Sequence, residues 1–183
     1  IIRTLQRALF PPFLMGQAGD IRHIVIYRIG NIGDIALAVP PLRMIRENFP
    51  EAAITLLTSA GDADLPGAAD VLAPLSPVAG KPLVDAIVSY RPAELKTPAG
   101  LLALKGQLRA AGAVDLFIDL PVSMQTLGRN LKELLFARLV GARFAIGFGQ
   151  LLPAVFRHPF CREFPGRVPK TVDWLLTRLA EAG

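Results

Sequence analysis

Along most of this chain apolar residues come either in short unbroken runs or at every third or fourth position, and the alternation between the two patterns predicts strands and helices in turn. Residues 24–27, IVIY, are β-branched and aromatic with no polar alternation, the pattern of a strand buried on both faces. A glycine-containing turn follows. Ile35, Leu37, Ala38, Leu42, Ile45 and Phe49 then recur at helical spacing as far as Pro50, and residues 53–58 form a second β-rich run. Strand, turn, helix and strand make a βαβ unit, whose crossover is right-handed in about 98% of cases. The turn therefore belongs at the carboxyl edge of a parallel sheet, where open α/β sheets bind ligands.

The same reading continues downstream. Residues 71–75 and 86–88 are expected as two short strands, separated by a surface connection rich in proline. Pro98 opens a helix that carries Leu101, Leu102, Leu104 and Leu108 and stops at Gly112. Residues 114–120, VDLFIDL, predict a buried strand bearing Asp115 and Asp119. A long helix over 123–141 is expected to turn Leu127, Leu131, Leu134, Leu135, Phe136 and Leu139 inward and to end at Gly141, with a further strand over 143–148. Prolines break up residues 149–169, and a last amphipathic helix is expected over 171–182. The fold class is thus α/β, a Rossmann-like domain of three layers around a parallel sheet.

Residues 1–20 stand apart as an amphipathic segment ahead of a domain spanning 21–183. Ile2, Leu5, Leu9 and Phe10 with Arg3 and Arg7 predict a short basic helix that ends at Pro11-Pro12. Such a helix either packs back on the domain or lies on an anionic membrane surface. No run approaches the ~20 apolar residues of a membrane span. Nor is there the uninterrupted apolar stretch and small-residue cleavage site of a signal peptide.

Chemistry concentrates in the first turn, where Arg28 ends the strand and Gly30, Asn31, Gly33 and Asp34 follow. Glycines there permit close approach to a ligand, and Asp34 falls at the N-cap or in the first turn of the helix. A dinucleotide site requires GxGxxG and an acidic residue near the end of the second strand. This turn has only two glycines, and the second strand runs out in Thr58-Ser59, so NAD binding is not expected. Asp62 and Asp64, in the next connection toward the same edge, read as turn formers, and Arg43 and Arg46 as a solvated helix face.

Composition narrows the partners. Hydrophobic residues make up 52% of the 183 and charged residues 19%, which supports one well-packed domain. The formal charge of +5 favours an anionic partner, but the basic residues are scattered and lack interleaved aromatics, so nucleic acid is not expected. A single cysteine, Cys161, excludes an internal disulfide and a cysteine zinc site. His23 and His158 have no second ligand at metal-binding spacing, and no metal is predicted.

The ordered set Arg28, Gly33-Asp34, Pro40, Arg43 or Arg46, Phe49-Pro50 and the strand at 53–58 resembles the opening of the family-9 glycosyltransferases, the heptosyltransferases of the lipopolysaccharide inner core. The VDLFIDL strand and the RFAIGF run at 143–148 are similar to further elements of that family. The final helix begins VPKTVD, without the family's histidine, and the resemblance covers roughly residues 21–183. It implies the amino-terminal, acceptor-binding half of a two-domain GT-B enzyme, inactive alone. The carboxy-terminal half, absent here, would hold the sugar nucleotide, so no cofactor is expected on this chain. The reaction implied is inverting transfer of heptose from ADP-heptose to a glycolipid or glycan acceptor, with Asp34 as general base and Arg28, Gly30, Asn31 and Gly33 at the acceptor. The resemblance also implies a cytoplasmic location, at the inner face of the membrane. The alternative is a free-standing Rossmann-like domain that binds a nucleotide or phosphorylated metabolite at the same turn.

Overall fold

The structure, a computed structural model, describes residues 2–13, 19–30, 32–60, 67–78, 80–120 and 127–148. These form α1 (Ile2–Leu9), β1 (His23–Tyr27), α2 (Ile32–Asn48), β2 (Ala53–Ser59), α3 (Ala68–Leu72), β3 (Ala86–Tyr90), a 3-10 turn (Glu94–Lys96), α4 (Pro98–Leu108), β4 (Leu116–Asp119), α5 (Leu127–Val140) and β5 (Phe144–Ile146). The strands make one five-stranded sheet in the order β3-β2-β1-β4-β5, and every neighbouring pair is parallel. As the sequence predicts, β1 is central, with Ile24 opposite Ile54 on one side and Leu116 on the other.

Unbroken apolar strands follow from helices on both faces. Ile24, Ile26, Ile54, Leu56, Leu116 and Ile118 face a core completed by Ile35, Ala38, Leu42 and Ile45 of α2 and Leu72 of α3. Val25, Tyr27, Leu57 and Phe117 face the opposite core, closed by Leu104 and Leu108 of α4 and Leu134, Ala137 and Val140 of α5. With period-two alternation in the strands, each face needs its own helical cover, and the result is three layers. Phe117 at the centre of the second core packs near Tyr27, Phe136 and Phe148, and truncating such a side chain to alanine typically costs about 3–5 kcal/mol. β3 and β5 are the two edge strands of this sheet, and Ala86 and Ser89 of β3 are exposed.

Helix α2 carries Pro40 and Pro41 in its interior. Each lacks the N–H that would bond four residues back, to Ala36 and Leu37. Both of those residues are exposed, so water can take up the freed carbonyls. Leu37, one of the apolar positions at helical spacing, thus lies on the exposed side of α2. Leu102 lies on an exposed helix face, as do Leu127, Leu135 and Leu139, which the spacing had turned inward. Residues 71–75 are a second correction, since they belong to α3 and the turn after it. The Asp70 carboxylate accepts the Gly67 N–H at 2.7 Å and starts the helix, and an apolar stretch of that length has no period to mark it as strand or helix.

α1 packs back on the domain. Gln6 Nε2 donates to the Ala145 carbonyl at 2.6 Å, Phe10 is buried in the second core, and Phe13 sits in the first against Phe49 and Phe144. None of the described helices is long and apolar enough to cross a membrane.

Three polar clamps set the sheet. The Asp115 carboxylate accepts the N–H groups of Arg22 and His23 at 2.8 and 3.1 Å, fixing the start of β1. His23 is buried, with Nε2 3.0 Å from Thr55 Oγ1 and Nδ1 3.4 Å from the Gly112 carbonyl. That carbonyl only accepts, so Nδ1 carries the proton and Nε2 accepts from the threonine. Arg46, expected on a solvated face, is instead fully buried. It donates to Pro82 O, Ala52 O and Asp85 Oδ2 at 2.9, 2.7 and 2.7 Å, joining α2 to the segments that lead into β2 and β3.

Candidate functional site

The strand order turns back at β1, whose carboxyl end therefore faces the crevice between outgoing connections on its two sides. The backbone leaves this edge in fixed register, with Arg28 N–H donating to Leu57 O and Leu120 N–H to Tyr27 O, both at 2.9 Å. Arg28, Gly30 and the first turn of α2 thus meet the end of β4 at the switch point.

Arg28 is wholly buried there. Its Nε and Nη2 donate to the carbonyl oxygen of Asp34 at 3.2 and 2.9 Å, and Nη1 donates to the carbonyl of Leu120 at 3.0 Å. Nη2 also lies 3.9 Å from the Asp34 carboxylate. Burial pulls the guanidinium down from its ordinary value, while Asp34 and Asp119 nearby hold it up. The planar fork spans two carbonyl groups that are remote in sequence, so the side chain ties α2 to the end of β4. Expected as an acceptor ligand, Arg28 is placed behind the first turn of α2, where its donors are spent on the protein itself.

Asp34 lies in that first turn, partly exposed, with the carboxylate braced from behind by Arg28. A Cβ added at Gly30 would collide with the Asp34 side chain, so the glycine is needed for the turn to pass this close to the carboxylate. Gly33 is exposed on the first turn, and Asn31 lies outside the described residues, as do Asp62 and Asp64. The structure thus brings Arg28, Gly30, Gly33 and Asp34 together at one edge.

Behind them is a group of polar residues only partly visible in the sequence. Asp119, the last residue of β4, and Glu133 of α5 are buried side by side, Glu133 Oε1 accepting from Arg129 Nε at 3.0 Å. Burial first, and then the charge of Glu133, push Asp119 well above the usual carboxylate range. The hydroxyls of Tyr27 and Tyr90 meet at 2.9 Å, and burial pushes both phenols above their ordinary value. β5 closes against this corner through Gly147, at φ +90°, where a Cβ would strike the Asp119 carbonyl. The arginine and glutamate of α5 stand four residues apart, and that spacing was the available signal. Among the described residues no three histidine, cysteine, aspartate or glutamate side chains are grouped to hold a metal.

A doubly wound, parallel α/β domain with a carboxylate presented at its switch point is the class that fold and site define. No family model matches the sequence, and no curated protein matches it. Among solved structures, the crystal structure of the glycosyl transferase family 9 from Veillonella parvula DSM 2008 shares the fold, with a TM-score of 0.54 and 19% sequence identity. The similarity covers 88% of this chain and 42% of that one, so the chain spans less than half the length of that protein.

Proposed function

We propose that this chain is the acceptor-side domain of an inverting glycosyltransferase, which takes heptose from ADP-heptose to a hydroxyl of a lipopolysaccharide inner core or related glycan. What carries the reading is the partly exposed Asp34 carboxylate, in a first turn whose Asp34 carbonyl is held by Arg28, at the switch point of a fold shared with a family-9 glycosyltransferase. An acceptor hydroxyl attacks the anomeric carbon as the bond to the ADP phosphate breaks and its electron pair leaves with ADP. The hydroxyl proton passes to Asp34. A carboxylate is a weak base toward an alcohol, so its contribution comes as the hydroxyl turns acidic in the transition state. Gly30, Asn31 and Gly33 border the acceptor's approach, and Arg28 acts through the position of Asp34. The sugar nucleotide is held mainly by a second domain. A cytoplasmic site at the inner membrane face, with its anionic lipid, suits a glycolipid acceptor and a chain of net positive charge.

The test is a transfer screen on the full-length product of the coding sequence, with ADP-heptose and other sugar nucleotides against inner-core acceptors. Release of ADP that requires both donor and acceptor is expected. Binding of a nucleotide or phosphorylated metabolite without transfer to any acceptor would favour the free-standing binding domain instead.

A further inference from the structure

The functional reading leaves Asp119 and Glu133 unused, and their oxygens pose a problem of their own. Asp119 Oδ1 and Oδ2 and Glu133 Oε2 are all buried and meet no hydrogen-bond donor. A buried carboxylate with bare oxygens is strongly disfavoured. The charges facing Asp119 are Arg28 at the end of β1 and Glu133 and Arg129 on α5, with the Tyr27 phenol of β1 nearby and Tyr90 of β3 reached through it. β5, whose residues are Phe144, Ala145 and Ile146, brings no titratable group. Arg28 is shared with Asp34 and Arg129 with Glu133, so two arginines face three carboxylates once Asp119 is counted.

We propose that Asp119 and Glu133 share one proton, and that this proton latches α5 to the carboxyl end of β4. With the proton on Asp119, its O–H donates to Glu133 Oε2 while Oε1 keeps Arg129. One bond thus answers the orphan oxygen of each partner, as in other carboxyl pairs that cannot both ionise. The direction in which burial and Glu133 push Asp119 agrees with this arrangement. When rising pH removes the proton to solvent, two carboxylates face each other in a buried joint and the first turns of α5 lose their hold on the sheet. The release reaches the candidate site through Leu120, the residue after Asp119, whose carbonyl anchors Arg28. The latch is a property of this domain and does not depend on the transferase reading.

Carboxyl ¹³C NMR of this chain, titrated from about pH 4 to about pH 10 with Asp119→Asn for assignment, tests it together with amide exchange in α5 corrected for intrinsic rates. Asp119 is expected to stay protonated after the exposed carboxyls have ionised, and its midpoint should fall in Glu133→Gln. Exchange over Leu127–Leu134 should quicken as that midpoint is passed, and Asp119→Asn should lack this step. A midpoint for Asp119 in the ordinary range near about 3.9 overturns the shared proton. An exchange step of equal size in Asp119→Asn overturns the latch. Should Glu133→Gln fail to fold, the parent titration and Asp119→Asn decide both points.

Discussion

Replacing Arg28 by lysine separates an internal brace from a ligand-binding side chain. In the structure the guanidinium serves two carbonyl groups, Asp34 O twice and Leu120 O once, from a position with no solvent exposure. A lysine ammonium is a single point on a flexible stem and reaches at most one of the two carbonyls at good geometry. Leaving a buried acceptor unmet costs about 1–3 kcal/mol, and the ammonium is also more costly to bury than the more weakly hydrated guanidinium. Arg28→Lys should therefore lose roughly 2–4 kcal/mol. Arg28→Met, which leaves both carbonyls and the nearby Asp34 charge unmatched, should lose about 3–5 kcal/mol. At about 2–4 °C per kcal/mol for a chain of this size, the lysine variant should melt roughly 5–15 °C below the parent. Urea unfolding followed by circular dichroism, with the slope of the transition compared between variants, gives the free energies directly. Surface substitutions usually stay within about 0.5 kcal/mol. A lysine variant inside that limit would refute the brace and return Arg28 to the acceptor side.

Two further outcomes test the clamps elsewhere in the fold. Arg46→Met should destabilise by about 3–5 kcal/mol, because it strips the partners from Ala52 O, Pro82 O and the Asp85 carboxylate. Denaturant unfolding checks it, and a loss below about 0.5 kcal/mol would place Arg46 on the solvated face its sequence position suggested. Burial lowers the pKa of His23, so the unfolded chain takes up a proton that the folded chain resists. The stability tied to neutral His23 is thus present above the unfolded value of 6.5 and is lost as pH falls below it. Unfolding free energies measured from about pH 7 downward should show a flatter acid limb for His23→Gln than for the parent, and parallel limbs would contradict the assignment.

The parts of this fold that were legible in the sequence are those whose cause is local. The IVIY run, the glycine turn and the helical spacing after it each report on their own neighbourhood, and together they placed β1 at the centre with β2 and β4 parallel beside it. Gly141, at φ +87°, ends α5 where the sequence put it. Polar residues turned inward were not legible, because their partners are remote. Arg46 meets Pro82 and Asp85 across 36 and 39 positions, and Arg28 meets Leu120 across 92. On a helix written in one dimension an arginine or glutamate reads as solvent-facing, so Arg46 and Glu133 were missed. The reverse error put Leu127, Leu135 and Leu139 inside, since α5 is apolar on more than one face and periodicity alone does not choose between faces. In the candidate site the residues around Asp34 were found from the turn itself, whereas the Asp119 and Glu133 corner needed the packing of α5 on the sheet.

Whether Asp34 is the base in the proposed glycosyl transfer is tested by Asp34→Asn in the full-length product, with turnover and stability measured on the same preparation. The amide is nearly isosteric and keeps the first turn of α2, but it cannot take the acceptor's proton. Loss of the negative charge costs about 0.3–1 kcal/mol at the helix amino terminus and more where it faces the buried Arg28 guanidinium, so the melting temperature should fall and turnover is compared on protein shown to be folded. Turnover with ADP-heptose at saturating acceptor should fall by roughly the 10²- to 10⁴-fold that general-base catalysis contributes, and the fall should appear in kcat more than in KM. Turnover of Asp34→Asn within a few-fold of the parent would contradict the account and remove Asp34 from the chemistry.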